Sequence, residues 1–227
     1  MKRLLGMTVV VAAMLVSMAG TAKADQIFST PAGATNPLTG DPVSAFAKFS
    51  QSGNTLTITL TNTIPNIGSA GELLTGLSFT LSNGSSVSFG GGTGDLVKIA
   101  SNGTVTNLGV SALGWGFGST GANTYEICVI CTGGVSASAT PAQGILGPTS
   151  PDGKYDSANS SITGNKPHNP FVAGTGTFTL TVPSNDNVSN VTFMFGTQPT
   201  VPTPEPGSLL LLGLGLGVVT VLVRRRS

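Results

Sequence analysis

Residues 55–61 read T-L-T-I-T-L-T, and this run limits the fold more tightly than any other in the chain. Leu56, Ile58 and Leu60 alternate with Thr55, Thr57, Thr59 and Thr61. A period of two puts the apolar side chains on one face of a strand and the hydroxyls on the other. Thr is β-branched and suits the pleat. The apolar face has to be covered, and a second sheet is the simplest cover.

The same pattern recurs along the chain. Strands are predicted at 43–49, 54–62, 77–81, 87–89, 96–101, 104–108, 125–130, 176–182 and 188–195, about nine in all. Leu77, Phe79 and Leu81 form a second inward-facing row. Asn83-Gly84 and Asn102-Gly103 each sit between alternating runs and read as hairpin turns. The one local helical candidate is 70–74, a turn at most. Residues 25–41 read as an opening loop or short edge segment. Residues 132–175 are rich in Gly, Pro, Ser and Asn and read as a long irregular excursion, a kind of loop that is usually functional or mobile. The expected fold class is all-β: an antiparallel two-sheet β-sandwich over 25–196, followed by a Pro-rich linker at 197–203.

Composition agrees. Of 227 residues, 32 are Gly and 14 are Pro, and only 8% are charged. That suits a turn-rich β-protein better than a helical one. Six of the ten basic residues lie near the ends: Lys2, Arg3, Lys23, Arg224, Arg225 and Arg226. The interior keeps Lys48, Lys98, Lys154 and Lys166 against nine acids, so the processed chain is mildly acidic and has no basic patch. Nucleic acid is thereby excluded as an expected partner.

Both ends read as targeting segments. Residues 1–24 have the form of a secretory signal peptide. Lys2 and Arg3 precede an apolar run, and Ala22-Lys23-Ala24 supplies the small-x-small cleavage pattern. At the other end, 209–223 is an uncharged stretch closed by Arg224, Arg225 and Arg226. It is predicted to be a single transmembrane helix with its C-terminus in the cytoplasm. Gly213, Gly215 and Gly217 interrupt it and weaken it as a permanent anchor.

Ahead of that helix stand Pro204, Glu205 and Pro206. The order of P-E-P, apolar helix and R-R-R resembles the PEP-CTERM sorting signal of Gram-negative bacteria, over 202–227. The resemblance implies recognition by an exosortase, a membrane transpeptidase-like enzyme. It also implies a precursor held briefly in the inner membrane and a product delivered to the cell surface or exopolysaccharide matrix, in bacteria that form biofilm. The flanking prolines hold Glu205 in extended backbone, the form in which protease-like enzymes take a substrate.

Within the body, each candidate site competes with a plainer reading. Cys128 and Cys131 form C-V-I-C. An exported chain favours a disulfide over free thiols or a redox or zinc half-site. A bond between residues three apart in a strand requires a local turn. His168 is the sole histidine, and without a G-x-S-x-G elbow it reads as a loop residue rather than a hydrolase base. Asp152 and Asp156 in D-G-K-Y-D offer two carboxylates to calcium, but Lys154 between them favours an ordinary turn. Trp115, Phe117 and Tyr125 are either a sugar-stacking platform or core. The N-x-S/T matches at Asn83, Asn102, Asn159, Asn187 and Asn190 are coincidental in a bacterial chain.

The function expected from the sequence is an exported, exosortase-sorted surface or exopolysaccharide-matrix protein with no enzymatic activity, catalytic residue, cofactor or metal. The alternative is a carbohydrate-binding or adhesive module using Trp115 and the 132–175 excursion. A secreted hydrolase ranks last.

Overall fold

In the computed structural model, the described residues are 24–84, 86–132, 134–138, 143–164, 168–183, 185–197 and 200–203. The Thr/Leu run becomes β3 (Thr55–Asn62), with Leu56, Ile58 and Leu60 buried and the Thr side chains on the other face. It lies between β2 (Ala45–Ser52) and β10 (Phe171–Thr181), antiparallel to both. β1 (Gln26–Ser29) extends this arm beyond β2. On the far side of β10 run β5 (Ser88–Ile99) and then β6 (Val105–Leu113).

A second antiparallel arm is centred on β4 (Leu74–Leu81). β8 (Thr124–Cys128) flanks it on one side, with β7 (Gly116–Gly121) outside. β11 (Val188–Phe195) flanks it on the other, with β12 (Thr200–Pro202) outside. The two-residue β9 (Ile145–Leu146) joins the arms, running parallel to β10 and antiparallel to β4. Hydrogen bonding therefore makes one twelve-stranded sheet rather than two separate ones. Among the described residues the helical content is a 3-10 turn at Ala70–Glu72, and no helix is long and apolar enough to cross a membrane. The span read at 209–223 lies outside the described residues.

The main core lies between the arms. Phe49 of β2 meets Phe79 of β4 edge-on, with ring centroids 5.4 Å apart. Trp115 leans on Phe178 of β10 at 5.0 Å. Full burial of each large apolar side chain contributes about 1.5–3 kcal/mol relative to exposure. Gly92 makes the packing at Phe178 feasible: a Cβ there would lie 2.5 Å from the Phe178 ring. The glycine run in β5 is thus a seat for an aromatic ring rather than a loop.

Two expectations need correction. Asn83-Gly84 does not close a hairpin, because β4 and β5 belong to different arms. The turn groups bond to remote residues instead. Ser82 Oγ and Asn83 N donate to Asp186 Oδ1 at 2.7 and 2.8 Å, and the Tyr125 hydroxyl donates to Gly84 O. The hairpin at Asn102-Gly103 does form, linking β5 to β6 with Gly103 at φ 78°.

The second correction concerns 132–175. Its described residues include β9 and the start of β10, and they carry much of a second core. Leu146, Tyr155, Ile162 and Phe171 pack there with Ile67, Leu73, Val97 and Ile99. Burial pushes the Tyr155 phenol up to about 12, so it remains a neutral donor to Gly147 O at 2.6 Å. Asn62 ties the cores together. Its side-chain NH2 donates to Glu72 O at 2.9 Å and Ile145 O at 3.0 Å, and its Oδ1 accepts from Ile64 N.

Candidate functional site

The chain leaves the sheet at its edge. β12 pairs antiparallel with β11 through Thr200, Val201 and Pro202. Val201 is buried, whereas Thr200 and Pro202 are exposed. Pro202 is tolerated because an edge strand needs only one side of its backbone for pairing. Thr203 adds two further bonds: its N–H and its hydroxyl both donate to Val191 O at 3.0 Å. The stretch read as a Pro-rich linker at 197–203 thus includes a short edge strand. Its short apolar signal, a single Val between polar and proline neighbours, is too weak to find in the sequence.

Residues 202–226 match the family model for the PEP-CTERM protein-sorting motif. The chain carries a PEP-CTERM sorting motif. Pro202 is both the last residue of β12 and the first residue of the match. The PEP-CTERM motif implies export, processing by an exosortase and sorting to the cell surface. No curated protein and no solved structure matches the chain. The residues read as the motif's working parts, Pro204, Glu205, Pro206, Arg224, Arg225 and Arg226, lie outside the described residues. So does Ala22. Ala24 is exposed just ahead of β1.

In the domain that bears the PEP-CTERM tail, the paired cysteines sit where β8 ends. The chain bends at Val129 and Ile130, which brings Cys131 back to Cys128 with Cα atoms 5.1 Å apart and the sulfurs bonded. Glu126 lies beside them, with its carboxylate within 4.8 Å of both sulfurs. It is buried and accepts from Thr132 N at 2.7 Å and from the Thr132 hydroxyl. The carboxylate thus anchors the loop that the disulfide folds back. With the sulfurs joined, no thiolate is offered to a metal. Glu126 has no signal in the sequence, since nothing marks Thr132 as its partner.

The remaining candidates are dispersed. Trp115 is buried, and its indole N–H donates to Gln143 O at 3.0 Å, so it is core and not a platform. Phe117 stacks between Phe89 and Tyr125, with centroids 5.4 Å from each. His168 is half-buried against a small pocket lined by Leu73, Thr75 and Ile130. Among the described residues no carboxylate pairs with it. Asp152 sits in an exposed turn with its carboxyl below the ordinary range, chiefly because the Ser150 hydroxyl bonds it.

Glu72 is a buried carboxyl of a different kind. Burial raises its pKa, the Gly68 N–H bond at 2.6 Å opposes that rise, and the nearby Asp41 charge adds to it. The folded state therefore holds the Glu72 proton more tightly than the unfolded state. This stabilising contribution is complete below the unfolded carboxyl value and is lost as pH rises through the folded value. Glu72→Gln keeps an acceptor for Gly68 and removes the charge. It is expected to melt above the wild type at pH 7, with the gap closing near pH 4. Melting curves at the two pH values check this; parallel pH dependence of the two proteins would refute it.

Proposed function

We propose that this is a non-enzymatic structural protein of the bacterial surface or exopolysaccharide matrix, exported through a cleaved signal peptide and released after exosortase processing. The observation that carries the reading is the PEP-CTERM match at 202–226, joined without slack to a folded β-domain. We read the two arms as the layers of a β-sandwich, supported by the Phe49–Phe79 contact between them and by Trp115, in the connection from β6 to β7, packed on Phe178. Such a domain presents Thr- and Asn-rich faces suited to weak, repeated hydrogen bonding with sugar polymer. The non-enzymatic reading draws on the lone histidine, the missing nucleophile elbow and the scattered acids.

The test compares one expression host with and without its exosortase. With the enzyme, the surface product is expected to have lost the mass of both terminal segments. Without it, a longer form is expected to stay with the inner membrane. An identical product in both hosts would refute exosortase processing and leave the tail as a plain anchor.

A further inference from the structure

The face of β3 that the core does not use carries a regular array. β3 and β10 pair in register, so that Thr55, Thr57, Thr59 and Thr61 lie opposite Thr181, Thr179, Thr177 and Thr175. The result is two adjacent columns of four threonines. They stand on the side of the sheet opposite the buried Leu56, Ile58, Leu60, Phe178 and Leu180. Thr55 and Thr181 are exposed and the other six are half-buried. Strand geometry sets the two repeats of the array, about 4.8 Å across the pair and about 6.7 Å along each strand. Both are comparable to repeat distances of hexagonal ice. A twist of about 20–25° between neighbouring strands confines such a match to one strand pair, and this pair carries all eight threonines.

The Thr61 and Thr175 hydroxyls bond each other at 3.0 Å. Among the described residues, the other six hydroxyls make no hydrogen bond to the protein. Each therefore keeps one donor and two acceptor positions for water. β-Branching stiffens χ1, so little freedom is lost when these side chains meet a surface. The flanking strands stay low. β2 sets Ser52 and Ser50 beside Thr55 and Thr57, and β5 sets Ser88, Gly91 and Thr93 beside Thr181, Thr179 and Thr177. A Cβ at Gly90 would lie 2.6 Å from Thr179 Oγ1, so a larger residue there would disturb the column. Phe46 and Lys48 stand at one corner, beside Thr61 and Thr59, and Lys48 is tied to Asp25 at 2.7 Å.

Sugar rings are gripped by aromatic faces, amides and charges, and the two columns contain none. They offer methyls and water-like hydroxyls at fixed repeats. Holding a liquid water at a surface costs entropy, whereas the waters of a crystal are already fixed. We propose that the β3–β10 threonine columns bind the surface of ice. This is a role beyond sorting and beyond the sugar contact suggested for the same faces, and the test separates the three.

The full-length chain in detergent is compared with detergent alone in two assays: the gap between melting and freezing of a single ice crystal, and the coarsening of polycrystalline ice. The wild type is expected to open a gap with faceted crystals and to slow coarsening. Thr177→Lys and its cross-strand partner variant Thr59→Lys are each expected to lose both effects, because a long charged side chain holds the face off the lattice. Ser111→Lys, exposed on β6 and outside the array, is expected to keep them. Melting curves establish that each variant is folded, and two positions are used so that misfolding of one leaves the other to decide. Crystals that grow as in detergent alone, or equal activity in the folded column variants, overturn the proposal. Adsorption to an insoluble neutral glucan that is lost in the same variants, with no effect on ice, assigns the columns to sugar polymer and also overturns it. Exosortase-dependent processing is followed in parallel: normal processing without ice activity removes this role alone, and ice activity without processing removes the sorting reading alone.

Discussion

Gly147→Ala is expected to remove a large part of the domain's stability. A Cβ at this position would lie 1.8 Å from Ile64 O, 2.8 Å from Ile64 C and 3.2 Å from Ile64 N. All three are backbone atoms, so no side chain can swing aside. Neither segment is free to retreat. Ile64 N is bonded by Asn62 Oδ1 at 3.1 Å, Asn66 N donates to Pro148 O at 2.7 Å, and Tyr155 holds the Gly147 carbonyl itself. Overpacking in cores typically costs about 1–3 kcal/mol, and a clash with pinned backbone belongs at or above the top of that range. Total stability for a domain is about 5–15 kcal/mol, so the variant is expected to shift the denaturation midpoint strongly or to accumulate unfolded. Gly121→Ala is the matched control. Its Cβ would meet only the Thr124 side chain, Cβ at 3.7 Å and Oγ1 at 3.9 Å, both ordinary contacts, and its stability should stay near wild type. Equal midpoints for Gly147→Ala and the control would show that the segments after β3 and β9 can part without loss.

The second large effect concerns the tail. Replacing Pro204, Glu205 and Pro206 together with alanine is expected to leave the chain exported but unprocessed. The flanking prolines restrict the backbone around Glu205 to extended forms, and alanine releases that restriction. Replacing Arg224, Arg225 and Arg226 with asparagine acts differently. With 209–223 read as a span, it removes the cationic bias that would keep the C-terminus inside, so orientation itself is expected to fail. The two variants separate by protease protection of the C-terminus in intact cells: protected in the first, partly accessible in the second. Immunoblots of surface and membrane fractions report processing. Wild-type processing in the first variant would show that the motif is not what the enzyme reads.

How far the fold was legible depended on the range of its interactions. The 55–61 strand shows in the sequence because one face is wholly apolar and the other wholly hydroxylic, a local property. Asn102-Gly103 shows for the same reason, since β5 and β6 are neighbours in both chain and sheet. Asn83-Gly84 carries the identical dipeptide and misleads, because its partners are Asp186 and Tyr125, which no local pattern identifies. The glycines of β5 fall between the strands predicted at 87–89 and 96–101, yet one of them seats Phe178 from a strand far along the chain. Trp115 was legible as an aromatic in a glycine-rich stretch, but whether it faced sugar or core was decided by Phe178 and Gln143. The sorting motif was legible because it is a contiguous signal.

Thr203 donates the last described bond of the sheet, and Pro204 follows it directly. One residue spans at most about 3.3–3.6 Å of extended chain. A cut among Pro204, Glu205 and Pro206 would therefore leave a product that stops almost flush with its own sheet, offering an exopeptidase little ragged end to grip. The same closeness makes the folded wall a gauge for the processing enzyme. To bring Glu205 into a deep active-site cleft, the enzyme must either peel β12 from β11 or accommodate the rim of the domain at its entrance.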